Sequence, residues 1–270
     1  MALCPACRRA ASAAFETEAA WKPHQSRSWL NHHRAEEPAP FDADVQAICE
    51  LSQQAPQLHE HGVQVVSTDE QTGIQANERA QPTRPMKQGL VERVEFEYSR
   101  HGTQALIANV EVATGQVMTP SVGPTRTEED VVSHVERTIA GDPAAAWMFI
   151  VDRLNTHQSE SLVRCVANQC GVDGELGVKG QAGIFESMPT RAAFLQDPTP
   201  RIRLVYTPTQ TSWLNQVEIW FGILVRRLLK RGRFTSVTEL RQRILAFIEY
   251  FNKTMAKPFK WTYAGRPLAA

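Results

Sequence analysis

The sequence has few of the features that mark secreted or membrane proteins. It contains only five cysteines among 270 residues, and their odd number and irregular spacing do not make a disulfide framework. No apolar run approaches the roughly 18 residues that a membrane-spanning helix requires. The N-terminus lacks the charged head and apolar core of a signal peptide. These absences predict a cytoplasmic protein in a reducing compartment.

Two other common signals are weak or missing. Cys4 and Cys7 form a single CxxC pair. A zinc ribbon needs a second pair, and the nearest histidine, His24, has no partner at ligand spacing, so a structural zinc site is not expected. The chain has no internal repeat and no low-complexity segment, and it is long enough for one large domain or two small ones.

The charge is balanced overall but unevenly distributed. The chain has 29 basic and 29 acidic residues. Residues 200–270 contain 13 Lys and Arg against 3 Asp and Glu, whereas residues 1–199 contain 16 against 26. A basic C-terminal quarter beside an acidic body is a plausible polyanion-binding face. A solvated helical face is the alternative.

The order of predicted elements is typical of a mixed α/β sheet. An antiparallel meander precedes alternating strands and helices. The predicted strands are Val63–Asp69, Val94–Tyr98, Thr103–Val112, Trp147–Asp152 and Arg201–Tyr206, with another starting at Gln116–Met118 and a turn at His101-Gly102. The predicted helices are residues 42–54 (ended by Pro56), Thr127–Ile139, Ser159–Gln169, Ser212–Lys230 and Val237–Thr254. Residues 171–200 are rich in Gly and Pro and are interpreted as an insertion.

Three acidic residues occupy informative positions. Asp69 and Asp152 end two apolar, strand-like runs, and Glu218 lies seven residues into a predicted helix. Carboxylates are preferred ligands of Mg²⁺ and Mn²⁺, and a pair of such ions supports phosphodiester chemistry. We therefore predict a metal-binding cluster in an enzyme that acts on nucleic acid. Turn chemistry or surface charge is the alternative for each acid alone. Glu70 should point away from Asp69 along a strand and is not counted as a ligand.

Polar and aromatic neighbours accompany these acids. Asn155 and His157 follow Asp152, where they would bind phosphate or order the cleft, or else cap the next helix. Aromatic residues flank Glu218 and are expected in the core, which would leave the glutamate partly buried. These aromatic residues are Trp213, Trp220 and Phe221.

A basic cluster follows Glu218 on the same predicted helix and its exit. Four of its members form stripes at a spacing of four residues, and cations at a helix C-terminus also complement the helix dipole. Their closeness to Glu218 favours contact with a phosphate backbone. The predicted DNA-binding residues are Arg226, Arg227, Lys230, Arg231 and Arg233.

At these residues the chain resembles the DDE transposases, and more narrowly the bacterial insertion-sequence transposases related to the mariner group. The motifs are Val-Ser-Thr-Asp-Glu at Asp69, Val-Asp with Leu-Asn-Thr-His at Asp152, and Ser-Trp-Leu-Asn-Gln-Val-Glu at Glu218. The closing segment, with Tyr-Phe-Asn-Lys and Lys-Pro-Phe-Lys-Trp-Thr-Tyr, is similar too. The likeness covers about residues 21–268.

The resemblance implies a fold, a cofactor and partners. The fold would be a ribonuclease-H-like mixed five-stranded sheet flanked by helices. Asp69, Asp152 and Glu218 would be the catalytic, metal-binding triad for Mg²⁺ or Mn²⁺, with two ions. Asn155, His157 and Asn215 would support the site. The partners would be double-stranded DNA (element ends and target) and a second copy in a homodimer, without a membrane, in the bacterial cytoplasm and on the nucleoid when DNA is bound.

The chain also departs from the family pattern. Such transposases usually carry an N-terminal helix-turn-helix region, and residues 21–31 resemble only its end. We therefore expect an N-terminal remnant or linker with one helix at 1–56 and a DDE catalytic domain at 57–270. The interval from Asp152 to Glu218 is long, which maps to the insertion at 171–200. Arg153 replaces an expected asparagine and would compete with metal for Asp152.

The leading hypothesis is a DNA transposase catalytic domain that performs two-metal strand cleavage and strand transfer of an insertion sequence. The first alternative is an inactive remnant that binds DNA non-specifically without turnover. The second is a ribonuclease-H-like nuclease with a host function, which would cleave RNA–DNA hybrids.

Overall fold

A five-stranded mixed sheet forms the centre of the structure, a computed structural model that describes residues 38–172, 174–209 and 211–262. The CxxC pair and residues 21–31 lie outside these ranges. The strands are β1 (Val63–Arg79), β2 (Tyr98–Glu111), β3 (Val117–Gly123), β4 (Ala146–Val151) and β7 (Ile202–Tyr206), with a small hairpin of β5 (Gly177–Val178) and β6 (Ala182–Gly183). The helices are α1 (Pro38–Glu60), α2 (Glu128–Ala140), α3 (Glu160–Cys170), α4 (Met188–Gln196), α5 (Val217–Leu224) and α6 (Val237–Thr254).

The strand order is β3-β2-β1-β4-β7, with an antiparallel meander β1–β3 and two parallel additions. The predicted α/β fold class is confirmed. Helices cover both faces, because alternate side chains of a strand point to opposite sides. Trp147 and Phe149 of β4 join the core under α2, α3 and α4, whereas Ile150 joins the core under α1. A further core lies between β2, α5 and α6.

Helix α1 runs through Pro56 instead of ending there, so the predicted end of this helix is wrong. Its apolar face, with Val45, Ile48 and Ala55, is buried against Val65 of β1. Burial of several such side chains outweighs the roughly 3 kcal/mol that an internal proline costs. The helix crosses the predicted domain boundary at residue 56, and the domain division itself stays a prediction.

Strands β1 and β2 form one long hairpin, which the sequence patterns divided into shorter pieces. β1 continues ten residues beyond Asp69. His101-Gly102, predicted as a turn, lies inside β2 opposite a register shift between Gln75 and Asn77. Gly102 has φ +113, which suits the extra residue of a β-bulge. Residues 94–97, predicted as part of a strand, lie in the connection at the hairpin tip. We call residues 80–97 the arm.

The predicted insertion at 171–200 contributes to the core. It contains the small hairpin and α4, and Phe185 and Leu195 are fully buried beside α3. Ser187 caps α4 with a reciprocal capping box to Thr190. In the part of the chain that the structure describes, no helix has the length and apolar character to cross a bilayer.

Candidate active site

Asp69, Asp152 and Glu218 come together at one edge of the sheet. β1 and β4 pair in parallel up to Ser67 and Ile150. Asp69 and Asp152 each lie two residues further on, at the carboxyl end of this pairing. Glu218 is the second residue of α5. The charges of Asp152 and Glu218 act on Asp69, so the structure places all three within electrostatic range.

Asp69 is the least exposed of the three acids, at 9%. Burial raises the pKa of its carboxyl to about 7, while the hydrogen bond from the backbone N–H of Glu70 to Oδ1 (2.7 Å) opposes the rise. The negative charges of Asp152, Glu70 and Glu218 add to it. Without a nearby cation, Asp69 therefore holds a proton close to neutral pH.

Asp152 has the opposite shift. Its Oδ1 accepts hydrogen bonds from Nδ1 of His157 (2.8 Å) and from the backbone N–H of Leu154 (3.0 Å). Burial favours the neutral acid, but the contact with His157 outweighs it and holds the pKa of Asp152 below its usual range. The side chain is 39% exposed. Asp152 is thus a charged, partly exposed group directly after β4.

His157 lies between two carboxylates and is almost completely buried. Its Nε2 is 3.2 Å from Oε1 of Glu70, on the side opposite Asp152. Burial disfavours the charged ring, but the contacts with Asp152 and Glu70 prevail and raise the pKa of His157 to about 10. Because both ring nitrogens face carboxylate oxygens, the doubly protonated ring fits the site.

Glu218 differs from its predicted setting. It lies in the first turn of α5, not seven residues into a helix, and it is exposed rather than partly buried. What burial it has, together with the charge of Asp152, raises the pKa of Glu218. Trp220 and Phe221 are in the core as expected, whereas Trp213 is half exposed.

A buried network sets where α5 begins. The amide of Asn215 donates to the backbone oxygen of Thr68 (2.8 Å) and lies 3.4 Å from Oδ2 of Asp69. The hydroxyl of Ser67 donates to Oδ1 of Asn215 and accepts from the backbone N–H of Val217 (2.8 Å). This network breaks the predicted helix at Asn215 and ties the Glu218 helix to the Asp69 strand, which gives the predicted supporting residue Asn215 a definite position.

The donor set suits a hard divalent cation in its chemistry. Carboxylate oxygens are the ligands that Mg²⁺ and Mn²⁺ prefer. Burial raises the pKa of Asp69, and the negative charges of Asp152 and Glu218 add to the rise, so a bound cation would favour the charged form of Asp69. Among the described residues, no three His, Cys, Asp or Glu side chains are arranged to hold a metal ion together.

Arg153 does not compete for Asp152, contrary to the prediction. Its guanidinium lies 3.7 Å from Oδ2 of Asp44 on α1 and over the ring of Tyr206. Arg126 is the arginine whose charge acts on Asp152. The predicted supporting residue Asn155 is exposed at the start of the 3₁₀ helix Asn155–Gln158. The cap role considered for it belongs to Ser159, which accepts from the backbone of Leu162.

The basic cluster is exposed, but its helix is not regular. Residues Val225–Leu229 form a π-helical turn, in which the N–H of Lys230 donates to the carbonyl of Val225 (2.8 Å). The predicted spacing of α-helical stripes is therefore wrong over this turn. Arg233 pairs with Glu78 (2.8 Å). Within the described chain, the other four cations form no salt bridge and project into solvent: Arg226, Arg227, Lys230 and Arg231.

Sequence reasoning missed two participants. Ser67 carried no signal beyond its place before Asp69, and its partner is 148 positions away. Glu70 was set aside as a ligand because of strand alternation, and in the structure it does face the other way. The contact of Glu70 with His157 spans 87 positions and is invisible to local patterns.

Solved structures with the same fold include two complexes of Mos1. The Mos1 mariner paired end complex with Mn matches with a TM-score of 0.54 at 11% identity, over 93% of this chain. The Mos1 transposase paired-end complex with left transposon end matches with a TM-score of 0.52 at 10% identity, also over 93%. This chain spans 65% of the length of each Mos1 chain. The predicted ribonuclease-H-like mixed sheet is thereby confirmed.

The family model described as DDE superfamily endonuclease matches residues 64–241. The chain belongs to this family of endonucleases, which confirms the resemblance to the DDE family drawn from the three motifs. No curated protein matches the sequence.

Proposed function

We propose that this chain is the catalytic part of a DNA transposase, which cleaves a DNA strand and joins it to a target. The observation that carries the proposal is the meeting of Asp69, Asp152 and Glu218 at one sheet edge. The match to DDE endonucleases spans all three acids. Residues 57–270 would form the catalytic domain, with 171–200 as the insertion and with helix α1 packed against its strand β1.

We propose that the three acids hold two ions of Mg²⁺ or Mn²⁺. Bound ions supply activation of the attacking oxygen and stabilisation of the leaving one. Asp69 would be the buried, rigid ligand on β1, fixed by the Glu70 N–H. Asp152 would contribute a charged, partly exposed carboxylate, and Glu218 an exposed one on a helix that Asn215 anchors. The Mos1 complex solved with Mn supports the choice of cation.

The substrate would be double-stranded DNA. Four cations on the π-helical turn and the residues just after it face solvent. This turn directly follows helix α5, which carries Glu218, and such a placement suits contact with phosphates. The two Mos1 structures are paired-end complexes, and one holds a transposon end. We place the protein in the bacterial cytoplasm, on the nucleoid when DNA is bound.

Two copies would act together through the arm. It carries five exposed apolar side chains, an unusual concentration for a monomer surface. Val91 is 80% and Phe96 90% exposed, with Met86, Leu90 and Val94 on the same segment. A second copy of the chain is the occupant we propose for this surface.

The decisive experiment measures nicking of supercoiled plasmid DNA with Mg²⁺ or Mn²⁺. We expect metal-dependent nicking by the wild type and a loss of more than about 100-fold in Asp152→Asn, since even outer partners of metal ligands cost 10–100-fold. Glu128→Gln, on α2, is the matched control and should retain activity. Equal nicking by wild type and Asp152→Asn would contradict the proposal.

One observation favours a second function, an inactive remnant that binds DNA without turnover. The three acids are not arranged to hold a metal as they stand. A wild-type chain that binds DNA in a salt-sensitive way but never nicks it would favour this alternative. The position of Arg153, turned towards Asp44 and not towards Asp152, removes one reason for expecting an inactive site.

A further inference from the structure

Glu70 and His157 form a buried pair behind the second acid. Both side chains are 1% exposed. Nε2 of His157 lies 3.2 Å from Oε1 of Glu70, and Nδ1 lies 2.8 Å from Oδ1 of Asp152. The imidazole ring thus bridges a residue next to the first acid and the second acid itself. A carboxylate buried this deeply is costly unless a charged partner faces it. His157 does so at ion-pair distance, although Nε2 and Oε1 do not meet in hydrogen-bond geometry.

The backbone around His157 is held from several directions. The hydroxyl of Tyr206 on β7 donates to the carbonyl of His157 (2.7 Å). Arg191 of α4 donates to the carbonyl of the next residue, Gln158 (2.7 Å), whose side chain donates to the carbonyl of Arg153 (3.1 Å). These hydrogen bonds fix the backbone that carries the imidazole ring, so the position of the ring does not depend on Asp152 alone.

The hydrogen bonds of the Asp152 carboxylate involve only one of its two oxygens. Both hydrogen bonds to its carboxylate, from His157 and from the Leu154 N–H, end on Oδ1. Oδ2 takes no part in them and is the oxygen available to a cation. Neighbours that hold a ligating carboxylate orient it and tune its affinity for metal.

We propose that Glu70 and His157 are positioning residues of the catalytic site: Glu70 holds the imidazole ring, and the ring holds Oδ1 of Asp152 so that Oδ2 faces the cation. The inference rests on the proposed function, because it assigns the pair to the metal site. It also gives a role to Glu70, which is buried although it follows Asp69 directly and is not itself a proposed ligand.

The test measures Mn²⁺ binding by titration calorimetry, alongside the Mn²⁺ concentration that half-activates plasmid nicking. We expect Glu70→Ala and His157→Ala to weaken Mn²⁺ binding about 10–100-fold. His157→Asn keeps a donor near the Nδ1 position and should recover part of the loss. Glu70→Gln retains the side-chain volume and serves if Glu70→Ala does not fold. Saturating Mn²⁺ should restore most nicking in each folded variant.

The matched control is Glu111→Gln. Glu111 is also a buried acid paired with a histidine, His59 (2.9 Å), but on β2 away from the three acids. A purely structural role would lower the melting temperature of Glu70 and Glu111 variants alike and leave Mn²⁺ affinity unchanged. Unchanged Mn²⁺ affinity in folded Glu70 and His157 variants overturns the inference while the proposed function stands. A wild type that neither binds Mn²⁺ nor nicks DNA overturns both.

Discussion

The three acids differ most in the solvent exposure of their side chains. Asp69 is nearly buried in the middle of β1, Asp152 is partly exposed directly after β4, and Glu218 is exposed at the start of α5. Their pKa shifts follow from these settings: upward for Asp69 and Glu218, downward for Asp152, whose partner is His157. In the metal-free site, the charged form is therefore disfavoured most strongly at Asp69.

Replacing Asp69 by Asn should stabilise the metal-free protein. The pKa of Asp69 is raised from 3.8 to about 7 on folding. The folded state thus binds a proton that the unfolded state releases, and stability falls as pH rises through that window. The full cost, on the order of 4 kcal/mol, applies above pH ~7. Asp69→Asn should therefore melt several degrees higher at about pH 8, and the gain should vanish towards pH ~4.

Thermal unfolding followed by circular dichroism checks this expectation in metal-free buffer. Glu218→Gln is the control, and its gain should be smaller because Glu218 is exposed. Added Mn²⁺ should raise the melting temperature of the wild type more than that of Asp69→Asn. A lower melting temperature for Asp69→Asn at every pH would show that the buried charge is not destabilising.

Local sequence was enough to single out the acids but not their partners. Strand-like runs before Asp69 and Asp152 marked both acids as candidates for one carboxylate cluster, although β1 continues ten residues beyond Asp69. The hydrogen bonds of Ser67 and Asn215 and the pair of Glu70 and His157 join distant segments. Such contacts depend on register and packing, which no local pattern contains.

Most elements followed from periodicity, and the exceptions have identifiable causes. Helices α2, α3 and α6 lie within a residue or two of their predicted bounds. Tertiary burial carried α1 through Pro56. A β-bulge replaced the turn expected at Gly102. Side-chain bonds to β1 broke the long helix expected at 212–230 near Asn215. In each case a long-range interaction overrode a local signal.

The π-helical turn Val225–Leu229 is the element we expect to contact DNA. Replacing both Arg226 and Arg227 by Ala should reduce the slope of log affinity against log salt by about 2, because each arginine would neutralise about one phosphate. Affinity should fall for all DNA sequences alike, because interactions with the phosphate backbone carry no sequence information. Fluorescence anisotropy with a labelled duplex at several salt concentrations measures both quantities.

Lys253→Ala is the control for that experiment. Lys253 is an exposed cation in the same basic quarter, but Glu249 on α6 already pairs with it (2.6 Å). Its replacement should leave the salt slope nearly unchanged. Equal slopes for the wild type and the double variant would place the DNA elsewhere on the surface.

In the part of the chain that the structure describes, a sheet covered by helices carries an exposed segment, the arm. The sheet faces are covered by helices and the main apolar clusters are buried. The exposed apolar side chains concentrate in the arm, beyond the last ladder pair of β1 and β2, Arg79 with Tyr98. A surface of this kind gains free energy when a partner covers it, and Phe96, at 90% exposed, buries almost nothing against its own chain.

Substituting Val91 and Phe96 by Ser should therefore weaken dimerisation without unfolding the protein. Each covered apolar side chain contributes about 1.5–3 kcal/mol, so each substitution should raise the dimer dissociation constant roughly 10–100-fold. Sedimentation velocity over a range of protein concentrations measures this constant.

The control is Tyr250→Ser, which removes an exposed aromatic side chain from α6 and should leave the dimer dissociation constant unchanged. A wild type that stays monomeric at every concentration, with and without DNA, would contradict a second copy as the occupant of the arm. If the arm variants also lose strand joining while keeping plasmid nicking, pairing of two copies serves the joining step and not the cleavage site itself.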